Sequence, residues 1–275
     1  MPPARKKLKI GILGCGAIGS RIAKSVAREL AGVAELTAVY DIQPEKVQKL
    51  AQELRKPRIL KKSFPDLLRS CDLLVEAVNA KETALLIQRA LQSKKHVLAM
   101  SVGKLLNGEK LFRLAAQKGC FLLIPSGAIA GIDAVKAASL VNIHKITLTT
   151  RKPISGFSQV SYLKDRGIDL QHIVEETTLF EGDVDTAVQH FPQNINVAAT
   201  LALASGAKSQ MTVRILTSPH YKINSHEIEV LGDFGRMVSR TDNEVCPDNP
   251  RTSYLAVLSG IRTLKDFCKG TRIGT

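Results

Sequence analysis

Between residues 8 and 127, short apolar runs alternate with longer stretches whose apolar positions recur every three or four residues. The runs LKIGILG (8–14), ELTAVYD (35–41), CDLLVEAV (71–78), HVLAMSV (96–102) and CFLLIPS (120–126) lack strict in/out alternation, and PRIL (57–60) is a short further one. Continuous apolar character marks strands covered on both faces, as in a parallel sheet. Helices are predicted over 17–31, 44–54, 64–69, 81–93 and 109–118, with Pro44 opening one and Gly119 closing another. Strand and helix in regular alternation predict an α/β fold, a Rossmann-type doubly wound parallel sheet.

The pattern changes after Gly127. A helix over about 131–141 leads to the strand HKITLTTRKP (144–153), a polar stretch rich in Asp and Glu, and the strand TVRILTS (212–218). HEIEVLG (226–232) and RMVSRT (236–241) flank a turn and read as a hairpin with one solvated face. A second, α+β substrate domain is therefore expected over 128–245. The amphipathic helix predicted over 251–267 follows the breaker CPDNP and returns to the first domain, which then comprises 1–127 and 246–275.

One helix is unusual. HFPQNINVAATLALASG (190–206) opens with a proline and two asparagines and continues in small apolar residues, without a charge from Asn196 to Ala204. Small side chains permit close approach of another surface, and that surface has to be identified.

Composition narrows the function. With 44% hydrophobic and 23% charged residues the 275-residue chain is that of an ordinary globular protein. No apolar run reaches the roughly 18 residues that suggest a membrane span, and the basic N-terminus runs straight into a buried strand, so a cytoplasmic protein is expected. Five cysteines without a C-x-x-C pair and six histidines without H-E-x-x-H spacing predict no metal. A net charge of +14 raises nucleic-acid binding, but the charges are spread, Trp is absent and aromatics make up 4%. Base-stacking platforms are scarce, and attraction of an anionic small molecule is the better use of the field.

GILGCGAIGSRIA supplies the chemistry of the first domain. Gly14, Gly16 and Gly19 form G-x-G-x-x-G between a strand and a helix, with Ala17 and Ile18 at the helix start. Such glycines permit a tight turn, backbone approach to a pyrophosphate and close helix–strand packing. Asp41 follows 22 residues after Gly19, where a carboxylate binds a ribose 2′-hydroxyl. The cofactor expected is NAD, since Asp41 would repel a 2′-phosphate; Lys46 and Lys49 keep NADP possible.

PSGAIAGIDAVKAAS (125–139) and FPQNINVAATLALASG (191–206) resemble the L-aspartate dehydrogenase family. MSVGKL (100–105), TRKP (150–153), NSHEIEVLGDFG (224–235) and NPRTSYLAVLSGIRTL (249–264) are similar to it in the same order, so the likeness covers nearly the whole chain except the first seven residues. The resemblance implies NAD(P)-dependent oxidation of L-aspartate to iminoaspartate, which hydrolyses to oxaloacetate and ammonia or passes to quinolinate synthase in NAD biosynthesis; reductive amination is the reverse. It also implies cofactor contacts at Ala130 and Asn196 and an active-site histidine at His226.

Each implied role stands beside a plainer one. Asn194 and Asn196 either cap their helix or present amides to a ligand, a carboxamide or the substrate. His226 shares strand parity with Ile228 and Val230, so it is either a buried core histidine or the group that moves the proton of amine oxidation or activates water, given a ring pKa near neutrality. The dicarboxylate substrate needs cations or N–H groups; Arg151 and Lys152 in TRKP are the first candidates, with Lys104 and the backbone of 126–131 behind them. Two alternatives differ in class: a related two-domain dehydrogenase or reductase of a dicarboxylate or imine, and an NAD-binding regulatory protein with a basic surface. Small-residue helices and the second sheet make a homodimer plausible as an expectation.

Overall fold

The structure is a computed structural model, and it describes residues 7–78, 80–158, 160–191, 196–247, 249–270 and 273–274. The chain divides into two units, one formed by Met1–Pro125 with Val257–Arg272 and the other by Ser126–Ala256 with Ile273–Thr275.

In the first unit the apolar runs form β1 (Leu8–Leu13), β2 (Ala34–Tyr40), β3 (Leu73–Glu76), β4 (His96–Ala99) and β5 (Leu122–Leu123). All pair in parallel in the order β2-β1-β3-β4-β5. The connections carry α1 (Ala17–Arg28), α2 (Pro44–Glu53), α3 (Phe64–Arg69), α4 (Thr83–Gln92) and α5 (Glu109–Gln117). The order reverses between β1 and β3, and in open α/β sheets ligands bind at the carboxyl ends of the strands flanking such a switch. Ile10, Ile12, Leu73, Val75 and Leu98 are fully buried and pack with Ile22 and Val26 of α1.

Two expectations are corrected here. PRIL is not a strand: Pro57–Ile59 is a 3-10 turn, and only Leu60 bridges to Val39. Pro57 has a fixed φ and no N–H to donate to a ladder. The predicted strand over 96–102 ends at Ala99, and Val102–Leu105 turns into a 3-10 helix.

The second unit contains α6 (Ile132–Ala138), β6 (Ile143–Pro153), α7 (Ser161–Asp165), β7 (Thr177–Gly182), α8 (Val184–His190), α9 (Asn196–Ser205), β8 (Met211–Ser218), β9 (Asn224–Gly232) and β10 (Gly235–Asn243). Its sheet runs β10-β9-β6-β8-β7, with β6 and β8 parallel and the other pairs antiparallel. The strand β7 sits inside the stretch read as polar, because only Leu179 and Phe180 bury against the core while its other residues face outward. One sheet face is open: Arg236, Val238 and Arg240 on β10 are exposed, and Arg236–Glu229 and Arg214–Glu181 ion pairs lie across neighbouring strands.

After β11 (Val245–Cys246) and β12 (Asn249–Ser253), the final helix α10 (Tyr254–Lys269) begins three residues later than predicted. Residues 249–253 form β12 instead of starting the helix, with Ser253 opposite Val245 of β11. From Val257 onward α10 belongs to the first unit, where Leu264 and Cys268 join the core. Gly260 lies so close to Met100 that a Cβ would fall 2.7 Å from its sulfur. Among the described residues no helix is long and apolar enough to cross a membrane.

Candidate active site

At the end of β1 the chain turns sharply into α1. Gly14 has φ +94, a left-handed conformation, and a Cβ there would lie 2.6 Å from the carbonyl oxygen of Ala77. A Cβ on Gly19 would overlap the Gly14 carbonyl at 1.9 Å, so helix and turn touch through backbone alone. Gly16, the N-cap of α1, faces open space. Ala17 and Ile18 begin the helix, whose first turn has no acidic side chain. Free N–H groups, an open approach and a positive helix end fit a pyrophosphate.

Asp41 leaves the tip of β2 and reaches back to this turn. Its Oδ2 accepts the Cys15 backbone N–H at 2.7 Å and its Oδ1 that of Gln43 at 2.9 Å. Each oxygen keeps a lone pair for a ribose hydroxyl, and the contact with the turn fixes where the carboxylate points. The neighbouring Cys15 thiol is pushed up to about 12, chiefly by burial and then by the Asp41 charge, so it stays a protonated, inert side chain.

The second cluster lies at one end of the buried face of the other sheet. Further down, this face is apolar, with Leu148 opposite Ile228 and Val213 beside them. The next row carries Thr241, His226 and Thr150, and the one beyond it Asn243, Asn224, Lys152 and Thr217. His226 is 3% exposed, and its Nδ1 lies 3.0 Å from Oγ1 of Thr150, its register partner on β6. Thr217 Oγ1–H donates to the Lys152 carbonyl at 2.8 Å, tying β8 to the end of β6.

Burial sets the charge states in this cluster. The His226 ring is pushed down to about 3, first by desolvation and then by the nearby Lys152 charge. It is therefore neutral at physiological pH, and the near-neutral titration expected from sequence is corrected. Desolvation pulls the Lys152 ammonium down to about 8. The arrangement offers an uncharged imidazole beside a cation that holds its proton weakly.

Adjacent strand residues face opposite ways, and this divides the TRKP pair. Lys152 shares the His226 face. Arg151 lies on the other, where it pairs with Glu227 at 3.4 Å and Glu176 at 3.5 Å. Ala130 is exposed in the loop before α6, between the left-handed glycines Gly127 and Gly131. That loop is pinned to the hairpin: the Ala128 carbonyl accepts from Thr241 Oγ1 at 2.9 Å and from Asn243 Nδ2 at 3.1 Å. Sequence reasoning passed over Thr150 within TRKP and missed Thr241 and Asn243, whose polar atoms act through register and loop position with no local motif.

Asn196 is the first residue of α9 and is exposed; Asn194 and Pro192 lie outside the described residues. Val197–Ala199, Leu201 and Ala202 of α9 are buried, and within this unit α6 and α8 pack on it. Its small residues thus serve packing against its own domain, with Asn196 left at the accessible end. Among the described residues no group of His, Cys, Asp and Glu is placed to hold a metal.

Comparison with known proteins matches a family model to each of two long stretches of the chain. Residues 14–125 match the family described as homoserine dehydrogenase, NAD binding domain, and residues 133–267 match aspartate dehydrogenase, C-terminal. The chain is 42% identical over 271 residues to an L-aspartate dehydrogenase of Methanosarcina barkeri, spanning 98% of this chain and 100% of the relative. Against an L-aspartate dehydrogenase of Methanococcus maripaludis it is 41% identical over 272 residues, with the same shares. This chain belongs to the L-aspartate dehydrogenase family. Its fold is likewise similar to that of the crystal structure of aspartate dehydrogenase from Thermotoga maritima, at TM-score 0.73 and 22% identity over 98% of this chain and 100% of that one. A homoserine dehydrogenase from Thiobacillus denitrificans shares the fold at TM-score 0.62 and 15% identity, over 96% of this chain and 74% of that one. The NAD-binding match begins at Gly14, the first glycine of the turn, and the family indicates an NAD(P) cofactor.

Proposed function

We propose that this protein catalyses the NAD(P)-dependent oxidation of L-aspartate to iminoaspartate, which water converts to oxaloacetate and ammonia. The observation that carries the reading is a neutral, buried His226 beside Lys152 in a chain of this family. Gly14, Gly16, Ala17, Ile18, Gly19 and Asp41 would hold the dinucleotide, and the family resemblance adds Ala130 and Asn196 as cofactor-contacting residues. NAD is preferred over NADP because the Asp41 carboxylate is fixed at the turn by Cys15 and Gln43. Bound NAD(P) supplies the ring that accepts hydride from the substrate Cα.

The protein's own part is proton handling and charge recognition. In the tautomer that donates Nδ1–H to Thr150 Oγ1, the His226 Nε2 is a bare acceptor; a bound dicarboxylate would raise the ring's basicity and let Nε2 take the proton released from the amine as the imine forms, or one from the water that attacks it. Lys152 pairs with a substrate carboxylate, and Asn194 belongs to the same substrate set. Arg151 is the weaker member, being already paired with two glutamates.

We further propose a homodimer in the cytoplasm whose iminoaspartate can pass to quinolinate synthase. Five free cysteines suit a reducing compartment, and iminoaspartate hydrolyses unless it is consumed. The test is direct: purified protein with L-aspartate and NAD or NADP at mildly alkaline pH, following the absorbance of the reduced cofactor, with D-aspartate, L-glutamate and L-alanine alongside. A rise with L-aspartate is expected; no rise with any substrate, despite measured NAD binding, would refute the reading.

A further inference from the structure

One buried acid is absent from the chemistry above. Glu76 ends β3 at the switch point, in register with Leu13 of β1 and Ala99 of β4, and it is 0% exposed. Its Oε1 accepts the Val78 backbone N–H at 2.8 Å and its Oε2 that of Ser101 at 3.1 Å. The Ser101 hydroxyl closes the figure, with Oγ 2.9 Å from Glu76 Oε1 and 2.6 Å from the Val78 carbonyl oxygen.

The protons can be counted. Ser101 has one hydroxyl hydrogen, and two oxygens stand within hydrogen-bond distance of its Oγ. The Val78 carbonyl can only accept, so at 2.6 Å it takes the serine proton. Two lone-pair faces would then oppose each other across the 2.9 Å contact unless the carboxyl itself brings a hydrogen. The chain of donors runs from Glu76 through Ser101 to Val78. Burial favours the same protonation state by raising the Glu76 pKa, and the backbone amides of Val78, Met100 and Ser101 and the Ser101 hydroxyl that act against it include no charged side chain.

What this network holds is the wall of the glycine turn. Ala77, next in sequence, donates its N–H to Leu13 and presents the carbonyl that Gly14 approaches. A Cβ on Gly14 would also strike Val78 Cγ1, at 2.7 Å. Met100 N–H in turn donates to the Glu76 carbonyl, joining the exits of β3 and β4.

We propose that Glu76 is a positioning residue that works as a neutral carboxylic acid, clamping the exits of β3 and β4 against the glycine turn so that the dinucleotide site is preformed. Its ionisation would place an uncompensated charge in the clamp, strip Ser101 of its donor and loosen the turn. This rests on the NAD(P)-binding reading, and the test separates the two.

In the absence of cofactor, denaturant unfolding of the wild type and of Glu76→Gln is compared from pH 4 to pH 9. A folded-state pKa above the unfolded one makes the acid a growing liability as pH rises past its ordinary range. The glutamine variant cannot ionise, and although an NH2 at the Oε1 position would face the Val78 N–H, that cost is the same at every pH, so the variant is expected to gain stability relative to wild type toward alkaline pH. Parallel curves, or a variant that loses ground as pH rises, would overturn the neutral-acid assignment even if no NAD bound at all. An infrared carbonyl band of a protonated carboxyl at pH 7, missing in Glu76→Gln, is expected alongside.

NAD titration by calorimetry tests the positioning role. Glu76→Gln, which leaves one backbone N–H without its acceptor but keeps the link to Ser101, is expected to lose no more than about threefold in NAD affinity, and Glu76→Leu, which removes every bond, to lose about tenfold or more. Equal weakening in both variants, or none in the leucine variant, would overturn the clamp.

Discussion

The two sheets prepare their sites by different means. The parallel sheet of the first unit offers backbone: a left-handed Gly14, an uncluttered Gly16 and a Gly19 in contact with the turn, with side chains mainly excluded. The mixed sheet of the second unit offers side chains, and the row of Thr150, His226 and Thr241 exists only because β6, β9 and β10 meet in one register. A backbone site tolerates almost no added atom. A side-chain site tolerates an altered shape but depends on charge, and variants should break the two in different ways.

The largest effect is expected from Gly19→Val, whose Cβ would coincide with the Gly14 carbonyl at 1.9 Å. NAD binding should become unmeasurable and the melting temperature of the first unit should fall; a variant that still binds NAD within tenfold would show that the turn adapts.

His226→Ala comes next and strikes the other sheet. Here kcat should fall by about 10²–10⁴, the range for loss of a general acid–base group, while the NAD dissociation constant stays within about twofold. Loss of NAD affinity instead would make the histidine a structural member of the site.

The two faces of β6 allow a sharper contrast. Lys152→Met should raise the KM for aspartate by about 10- to 100-fold, as for a charge-assisted hydrogen bond of roughly 1.5–3 kcal/mol, whereas Arg151→Met should change it by no more than about threefold. Steady-state kinetics on both variants decides it, and the reverse ranking would mean that the outer face binds substrate.

The mildest test uses pH. The Lys152 ammonium titrates near 8, below the ordinary 10.5, so its charge is present at neutral pH and lost as pH rises. Aspartate affinity should therefore weaken through about pH 8 in the wild type and lose that dependence in Lys152→Met. With its ring held near 3, His226 should leave no inflection between pH 6 and 7 in the kcat/KM profile of the free enzyme. An inflection there that vanishes in His226→Asn would show a charged ring in the working site.

Much of this molecule can be read in its sequence, for reasons that are local. The spacing of Gly14, Gly16, Gly19 and Asp41 works through two consecutive strands and the turn and helix between them, so a short window contains the proposed dinucleotide site. Parity in HEIEV was likewise enough to put His226 on the buried face with Ile228 and Val230. Where a residue's role depends on what lies across the sheet, that window is too small. Nothing in TRKP reveals that Lys152 faces His226 while Arg151 is held by Glu176 and Glu227. Nothing near Glu76, a single acid in the apolar run LLVEAV, names Ser101 as its partner 25 residues on. The polar residues around β7 likewise concealed a strand that buries only two side chains.

The sequence by itself determined the parallel α/β order, the glycine turn, the family and the burial of His226, since periodicity and motif spacing are properties of a continuous chain. Tertiary structure alone decided which cation accompanies that histidine, that its ring is neutral, and that an acid at the switch point holds a proton. Those are matters of desolvation and hydrogen-bond supply, and both are fixed by atoms that come together only when distant strands are packed side by side.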